Sequence, residues 1–451
     1  MSSLESKLES IVGTAHVLTD PDVLAGWSTD WTGRDTGAAR AVVRPGDREQ
    51  VAEVLNVCRA AGAPVTIHGG GTSLVSGTVP RHEDVLLSTS RLADIGEVDR
   101  THKSVRVGAG TKLNALRELA AAHGLLFGVD LSARDSATIG GMVATNAGGL
   151  HTVRYGRTSA QLRGLEAVLP DGSIIERFPK VPDDRSGLDL VSLFAGSEGV
   201  LGVVTAVEVV LRPRPRHRVA ALVGFSALGD LVHAATSLRA TEGIDALELL
   251  DGEGVALAAQ HLGLSCPVRA EWLLLVELAG EREQLVELAE LLAGFDAADE
   301  PAISQDSAGR NRLWQVRESF AEVTRLFGAP AKFDLSLNFA SIPSFADEAK
   351  ELLAAQAPQA VPILFGHIGD GNLHLNVLRC PDASRVFEPM LALIARHGGN
   401  ISSEHGLGSL KRDYLPLARS PEEIAAMRSV KRAFDPDGYL NPAVLFPTAI
   451  A

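Results

Sequence analysis

Arg212-Pro213-Arg214-Pro215-Arg216 is the stretch that most limits how this chain can fold. Each proline fixes φ, lacks an N–H and restricts the residue before it, so neither a helix nor an inner strand can run through the segment. A chain of 451 residues needs such a break, because a single core rarely grows past about 250–300 residues. We therefore expect a domain boundary at 215/216.

Before the boundary, short strands alternate with helices. Residues 48–62 carry Val51, Val54, Leu55 and Cys58 at helical spacing, with Gly62 as a stop. Strands are expected at 64–67, 85–88, 104–107 and 203–211, a helix at 111–123, and a hairpin of 164–169 with 173–177 around Pro170-Asp171-Gly172. Three small-residue runs punctuate this pattern. The first is His68-Gly69-Gly70-Gly71-Thr72-Ser73-Leu74-Val75-Ser76-Gly77, where backbone N–H groups and hydroxyls can gather around an anion. It lacks both the Lys-Ser/Thr ending of a nucleotide-triphosphate loop and the Gly-x-Gly-x-x-Gly dinucleotide spacing, and a plain turn is its alternative. The second, Ser136 to Gly149, has almost no side-chain bulk, which suits a backbone lying along a flat ligand or, equally, a tightly packed helix start. The third is Ala195 to Gly202, leading into the strand at Val203. Three such loops feeding one strand-rich unit point to a long phosphate-bearing cofactor.

Beyond the boundary, strand-like pieces at 218–225, 271–278 and 330–338 alternate with helical ones at 228–241, 281–294 and 311–327. This is the pattern of an α+β cap with an antiparallel sheet. The 311–327 segment buries Leu313, Val316, Phe320, Val323 and Phe327, with Arg317 beside that stripe and Ala321 one turn on. In 331–337, Lys332, Asp334 and Ser336 alternate with apolar residues. Arg317 and Lys332 could clamp a carboxylate, although a solvated face accounts for most such residues.

His367 and His374 flank Gly369-Asp370-Gly371-Asn372, a tight turn that brings two imidazoles together and puts His374 and Asn376 on one strand face. Thirty residues later, Glu404-His405 stands in a glycine-bracketed loop. His367, His374 and Glu404 make a three-ligand divalent-metal set with a position left for substrate.

The net charge of −14, with no basic block, argues against nucleic acid. The longest apolar runs fall far short of the roughly 18 residues that span a membrane, and the opening segment with Glu5 and Glu9 reads as neither a signal nor a transit peptide. Cys58, Cys266 and Cys380 are isolated, as expected of reduced thiols in a cytoplasm.

Taken together, the three loops resemble the flavin domain of the vanillyl-alcohol-oxidase/p-cresol-methylhydroxylase superfamily. The later stretches resemble its FAD-linked D-2-hydroxy-acid dehydrogenase branch, over about residues 40–447. Within the branch, Ala147-Gly148-Gly149-Leu150, Arg154-Tyr155-Gly156, Lys332 to Leu337 and His367 to Asn376 are most similar to the D-2-hydroxyglutarate dehydrogenases. The fold implied is α+β. It comprises a two-subdomain FAD-binding domain of the p-cresol-methylhydroxylase type (1–215), a cap carrying the metal histidines (216–400) and a C-terminal segment (401–451) returning to the flavin. By resemblance, Gly69, Gly70, Gly71, Thr72, Ser73 and Gly77 hold the FAD pyrophosphate. Ser136, Thr138, Gly140, Gly141, Ala144, Asn146 and Gly148 lie along the flavin. Glu198, Gly202 and Val203 complete the adenosine side, and Asn441 lies near the flavin ring. Relatives with covalent FAD carry a histidine where Thr72 stands here, so non-covalent FAD is expected.

The resemblance also implies that His367, His374 and Glu404 bind a metal, usually zinc. It makes His405 the catalytic base and Arg317, Lys332 and Asn376 the substrate contacts. The expected reaction is oxidation of a D-2-hydroxy acid, foremost D-2-hydroxyglutarate, to the 2-oxo acid. D-lactate and glycolate are alternatives within the family, and a metal-dependent hydrolase is the alternative of another class. Ala321 departs from the 2-hydroxyglutarate enzymes, which have a substrate-bonding threonine there. Electron-transfer flavoprotein, a quinone or a cytochrome is the expected acceptor, and a homodimer is the assembly to test.

Overall fold

The computed structural model describes residues 3–181 and 186–447. The chain forms two compact units, one from residues 1–148, 156–214 and 404–451, the other from 149–155 and 215–403. The break after Arg214 falls inside the Arg-Pro run. The excursion 149–155 joins the second unit, a feature that no composition shift announces.

The first unit contains β1 (Val17–Leu18), β2 (Ala39–Val43), β3 (Val65–His68), β4 (Asp84–Ser88), β5 (Ser104–Gly108), β6 (Leu125–Leu126), β7 (Leu162–Val168), β8 (Ile174–Arg177), β9 (Val203–Val210) and β10 (Arg212–Pro213). One sheet has the order β1-β2-β4-β3, with β2, β4 and β3 parallel. Parallel strands need a crossover; from β2 to β3, which lie on either side of β4, it is the helix Arg48–Ala60, whose N-cap Asp47 accepts from the Gln50 N–H. That helix buries Val51, Val54, Leu55 and Cys58, with each large aliphatic contributing roughly 1.5–3 kcal/mol by burial. A second, antiparallel sheet runs β5-β9-β7-β8. Pro213 sits in the two-residue β10, which pairs only with β6, as a residue without an N–H must. The C-terminal segment closes on β3: the Val65 N–H donates to the Tyr439 carbonyl at 2.9 Å, and the Asn441 N–H donates to the Val65 carbonyl at 2.7 Å.

The second unit is built on one antiparallel sheet of β11 (His217–Phe225), β12 (Ile244–Asp251), β13 (Trp272–Gly280), β14 (Ala302–Ile303), β15 (Ala331–Ser336), β16 (Val361–Gly366) and β17 (Asn372–Leu378). Its order is β14-β11-β13-β12-β16-β17-β15. The helix expected at 311–327 instead spans Ser307–Val323, because Asp306 caps its start by accepting from the Gly309 N–H. Phe327 therefore lies beyond that helix. Leu313, Val316 and Phe320 pack with Leu250 and Phe365 in one core cluster. This places the helix over the sheet face that carries the candidate site.

Candidate metal and substrate site

The site grows from the turn between β16 and β17. β16 ends at Gly366, residues Ile368–Asp370 make one 3₁₀ turn, and Gly371 takes φ +76° before β17 begins. Only a residue without Cβ adopts that left-handed step cheaply. The reversal brings the His367 and His374 rings to a centroid separation of 5.4 Å with perpendicular planes.

Strand register then fixes a polar block beside the histidines. On β15 and β17, Lys332 lies opposite Asn376 and Asp334 opposite His374, two positions apart and hence on one face. His374 in turn lies opposite Phe365, and Phe365 opposite Leu250, so Glu248, two residues before Leu250, belongs to the same face. Asn376 and Asp334 are buried, whereas Lys332 is exposed.

The third candidate ligand is delivered by the chain just past this unit. Asn400 pairs with Ser336 through both backbone groups, at 3.1 and 2.9 Å. The Asp334 carboxylate accepts the Ser403 N–H at 3.0 Å. Glu404 follows directly, and one donor atom each from His367, His374 and Glu404 lie within 4.8 Å of one another. Two imidazoles and a carboxylate at that spacing fit a divalent transition ion. His405 Nε2 stands 3.2 Å from Glu404 Oε1.

Two carboxylates stand behind the histidines. Glu248, fully buried, accepts from His367 Nδ1 at 2.6 Å through Oε1 and from Arg317 Nε at 2.6 Å through Oε2. Desolvation alone would push the Glu248 carboxyl up, but the charges of His367 and Arg317 overcome it and hold it down at about 2. Asp334 Oδ1 lies 4.0 Å from His374 Nδ1. At His367, the acceptor on Nδ1 leaves Nε2 as the lone-pair side of the ring. Arg317 also lies over the Phe365 ring, 5.1 Å from its centroid.

Glu248 is not evident from spacing, because its strand Ile-Asp-Ala-Leu-Glu-Leu-Leu-Asp carries no readable period. Every residue of it is buried, so the polar/apolar alternation that marks a half-exposed strand is missing. The available signal was two acids inside an apolar run. Asp245 and Glu277, also fully buried, are neutralised alongside it. Arg154 and Arg218 pair with Asp245, and Arg218 and Arg310 pair with Glu277.

The cofactor candidates gather in the first unit. The run after β3 packs against the second run. A Cβ on Gly70 would collide with the Ser136 carbonyl, and one on Gly69 would come within 2.8 Å of Thr138 Oγ1. The Ser73 hydroxyl accepts from the Val75 and Gly77 N–H groups at 3.3 and 3.1 Å. Thr138 caps the helix Ile139–Thr145, which contains Gly140, Gly141 and Ala144, so the helical alternative describes this run. Asn146 ends it in the left-handed region and accepts from the Ser159 N–H, with Gly148 just beyond. The third run joins through the Glu198 N–H, which donates to the Ala144 carbonyl at 2.8 Å, and Gly202 directly precedes Val203, the first residue of β9. Three low-bulk backbones thus converge, leaving main-chain groups and small side chains to meet a ligand, which fits FAD. Two residues are already engaged. The Glu198 carboxylate accepts the Leu407 and Gly408 N–H groups at 2.8 Å each, in the loop that carries His405. Asn441 accepts from the Ile67 N–H and donates to the Glu198 carbonyl, at 2.7 Å each.

This α+β architecture, with a flavin-type first unit and an antiparallel second sheet, defines the class. Two family models match, "FAD binding domain" over residues 39–177 and "FAD linked oxidases, C-terminal domain" over 214–445. The chain is 34% identical to the mitochondrial D-2-hydroxyglutarate dehydrogenase of Bos taurus, over 98% of this chain and 83% of that protein. It is 34% identical to the D-2-hydroxyglutarate dehydrogenase of Xanthomonas citri pv. viticola, over 98% and 96%. A putative mitochondrial D-lactate dehydrogenase of Schizosaccharomyces pombe matches at 32%, over 98% and 88%. Among solved structures, p-cresol methylhydroxylase superposes with a TM-score of 0.80 at 17% identity, covering 98% of this chain and 96% of that one. The 4-ethylphenol oxidase from Gulosibacter chungangensis superposes with a TM-score of 0.78 at 16% identity, covering 99% and 98%. The chain belongs to the FAD-linked D-2-hydroxy-acid dehydrogenase family, within the p-cresol-methylhydroxylase fold, and is an oxidoreductase. That membership replaces the hydrolase alternative. No helix among the described residues is long and apolar enough to cross a membrane.

Proposed function

We propose that this enzyme oxidises a D-2-hydroxy acid, with D-2-hydroxyglutarate the first candidate, to the 2-oxo acid with metal assistance. The observation that carries the reading is the gathering of His367, His374 and Glu404 within 4.8 Å, with His405 next in the chain. A divalent ion held by those three side chains, zinc by resemblance, supplies Lewis acidity toward the substrate hydroxyl. Non-covalent FAD, held by the three small-residue runs of the first unit, supplies the two-electron acceptor.

The chain's own residues do the rest. Arg317 and Lys332 take the substrate carboxylates; Arg317 Nε is committed to Glu248, which makes its terminal nitrogens the substrate donors. Asn376, opposite Lys332, orients the bound acid. His405 accepts the hydroxyl proton, a task suited to an imidazole. Fixing the acid between these groups selects which face of Cα gives up its hydrogen.

D-lactate is the second substrate reading, favoured by the Schizosaccharomyces pombe relative and by Ala321, whose methyl offers no hydrogen bond. We take the electron acceptor to be an electron-transfer flavoprotein, a quinone or a cytochrome. The three cysteines are unpaired, which supports a reducing compartment such as the cytoplasm.

The test is the visible spectrum of the purified protein under anaerobic addition of D-2-hydroxyglutarate or D-lactate. Bleaching of a flavin band by one acid, lost after chelator treatment and restored by zinc, is the expected result. A yellow protein that bleaches equally with and without metal would overturn the metal role. A protein that takes up no FAD would overturn the whole reading.

A further inference from the structure

We infer that Glu248 is a positioning residue that presets two halves of this site at once, the metal ligand His367 and the substrate anchor Arg317. The inference rests on the metal and hydroxy-acid reading above. Glu248 is fully buried and its two oxygens are divided, Oε1 to His367 Nδ1 and Oε2 to Arg317 Nε, both at 2.6 Å. His367 and Arg317 come from different elements, the end of β16 and the helix Ser307–Val323, and nothing in the chain connects them locally. One rigid carboxylate on β12 sets their spacing.

Each bond has a chemical consequence. An ionised acceptor at Nδ1 keeps the proton there, so the His367 Nε2 lone pair is available to an ion and the ring cannot rotate. The second bond holds the guanidinium by its Nε, so the two terminal nitrogens project as a fork suited to a carboxylate. Phe365 supports the same guanidinium from its ring face. The spacing between ion and arginine is thereby set before substrate arrives, which lowers the ordering cost of binding.

Glu248→Gln tests this with little change of shape. An amide offers one acceptor and one donor, so the donor must face either His367 Nδ1–H or Arg317 Nε–H. One half of the site then loses its hydrogen bond, and the other keeps only a neutral acceptor in place of the carboxylate. Metal affinity is read on metal-free protein by chelator competition with Zn²⁺ and by the visible absorption of bound Co²⁺; substrate binding is read as KM. We expect Glu248→Gln to weaken Zn²⁺ binding by about 10–100-fold and to raise KM, with the flavin band retained. Arg317→Lys, which leaves Glu248 and His367 in place, should raise KM and keep Zn²⁺ affinity within about twofold. Glu248→Asp, which keeps the charge, should recover part of the metal affinity, and it decides the matter if the glutamine variant does not fold. Wild-type Zn²⁺ affinity in both Glu248 variants would overturn the inference, as would an equal loss of metal in Arg317→Lys. Wild-type protein that binds neither ion would instead overturn the functional reading itself.

Discussion

The Asp334 carboxylate accepts the Ser403 backbone N–H at 3.0 Å, immediately before Glu404 in the chain. Asp334 is also the cross-strand partner of His374. One buried acid thus lies across from the candidate ligand His374 and holds the backbone next to the candidate ligand Glu404. Asp334→Ala should leave the Ser403 N–H without this acceptor, a loss on the order of 1–3 kcal/mol. It should also weaken Zn²⁺ binding at least tenfold. Asp334→Asn keeps an acceptor for Ser403 and should fall between. Chelator competition and thermal melting measure the two effects separately, and wild-type metal affinity in the alanine variant would remove Asp334 from this role.

His405 is held in a loop whose next two N–H groups, from Leu407 and Gly408, are fixed by the Glu198 carboxylate. His405→Ala should therefore leave the loop, the flavin content and the bound metal in place. Only the proposed proton acceptor is removed, and kcat should drop about 10²–10⁴-fold. Rapid mixing with substrate under anaerobic conditions would show slow flavin bleaching with nearly normal KM. Retention of most of the bleaching rate would assign the base role to another group.

Ala321 is exposed one turn past Arg317 on the helix Ser307–Val323. A threonine there adds a hydroxyl without displacing a buried neighbour. A new hydrogen bond to a second carboxylate contributes on the order of 1 kcal/mol. Ala321→Thr should accordingly raise the ratio of kcat/KM for D-2-hydroxyglutarate over D-lactate by about 5–10-fold. An unchanged ratio would show that this position does not face the distal end of the acid.

How far the sequence revealed this site depends on how each residue is held. His367 and His374 were legible because they flank a turn with strong local chemistry, and alternation on β17 placed His374 and Asn376 on one face. Arg317 was legible as a basic residue beside an apolar stripe, but its partner was not. Glu248 lies 69 residues earlier in a strand buried on both faces, where no period distinguishes a strand from any apolar run. The helix Ser307–Val323 starts and ends four residues before the 311–327 that the apolar stripe suggests, its start set by the N-cap Asp306 ahead of polar residues that weaken the apolar pattern. Local turns and faces can be read from spacing; a buried acid with partners on two distant elements becomes readable only once the sheet order is known.

Asp251 ends the same strand and gives a pH signature of its own. Its carboxylate accepts the Glu253 N–H at 2.8 Å and the Leu364 N–H at 3.3 Å. Burial pushes its carboxyl up from 3.8 to about 6, and those two bonds together with the Lys350 charge only partly offset the rise. A carboxyl raised by folding stabilises the native state fully below its unfolded value, and that contribution fades as pH climbs through the folded one. Between pH 4 and pH 7 the wild-type protein should therefore lose on the order of 2–3 kcal/mol relative to Asp251→Asn, which cannot ionise. Comparing the two proteins by denaturant unfolding across this range cancels the other titrating groups. The difference should shrink or reverse in favour of the asparagine variant as pH rises, whatever its baseline. A pH-independent difference would mean that Asp251 stays ionised in the fold, with solvent reaching it at the β12 end.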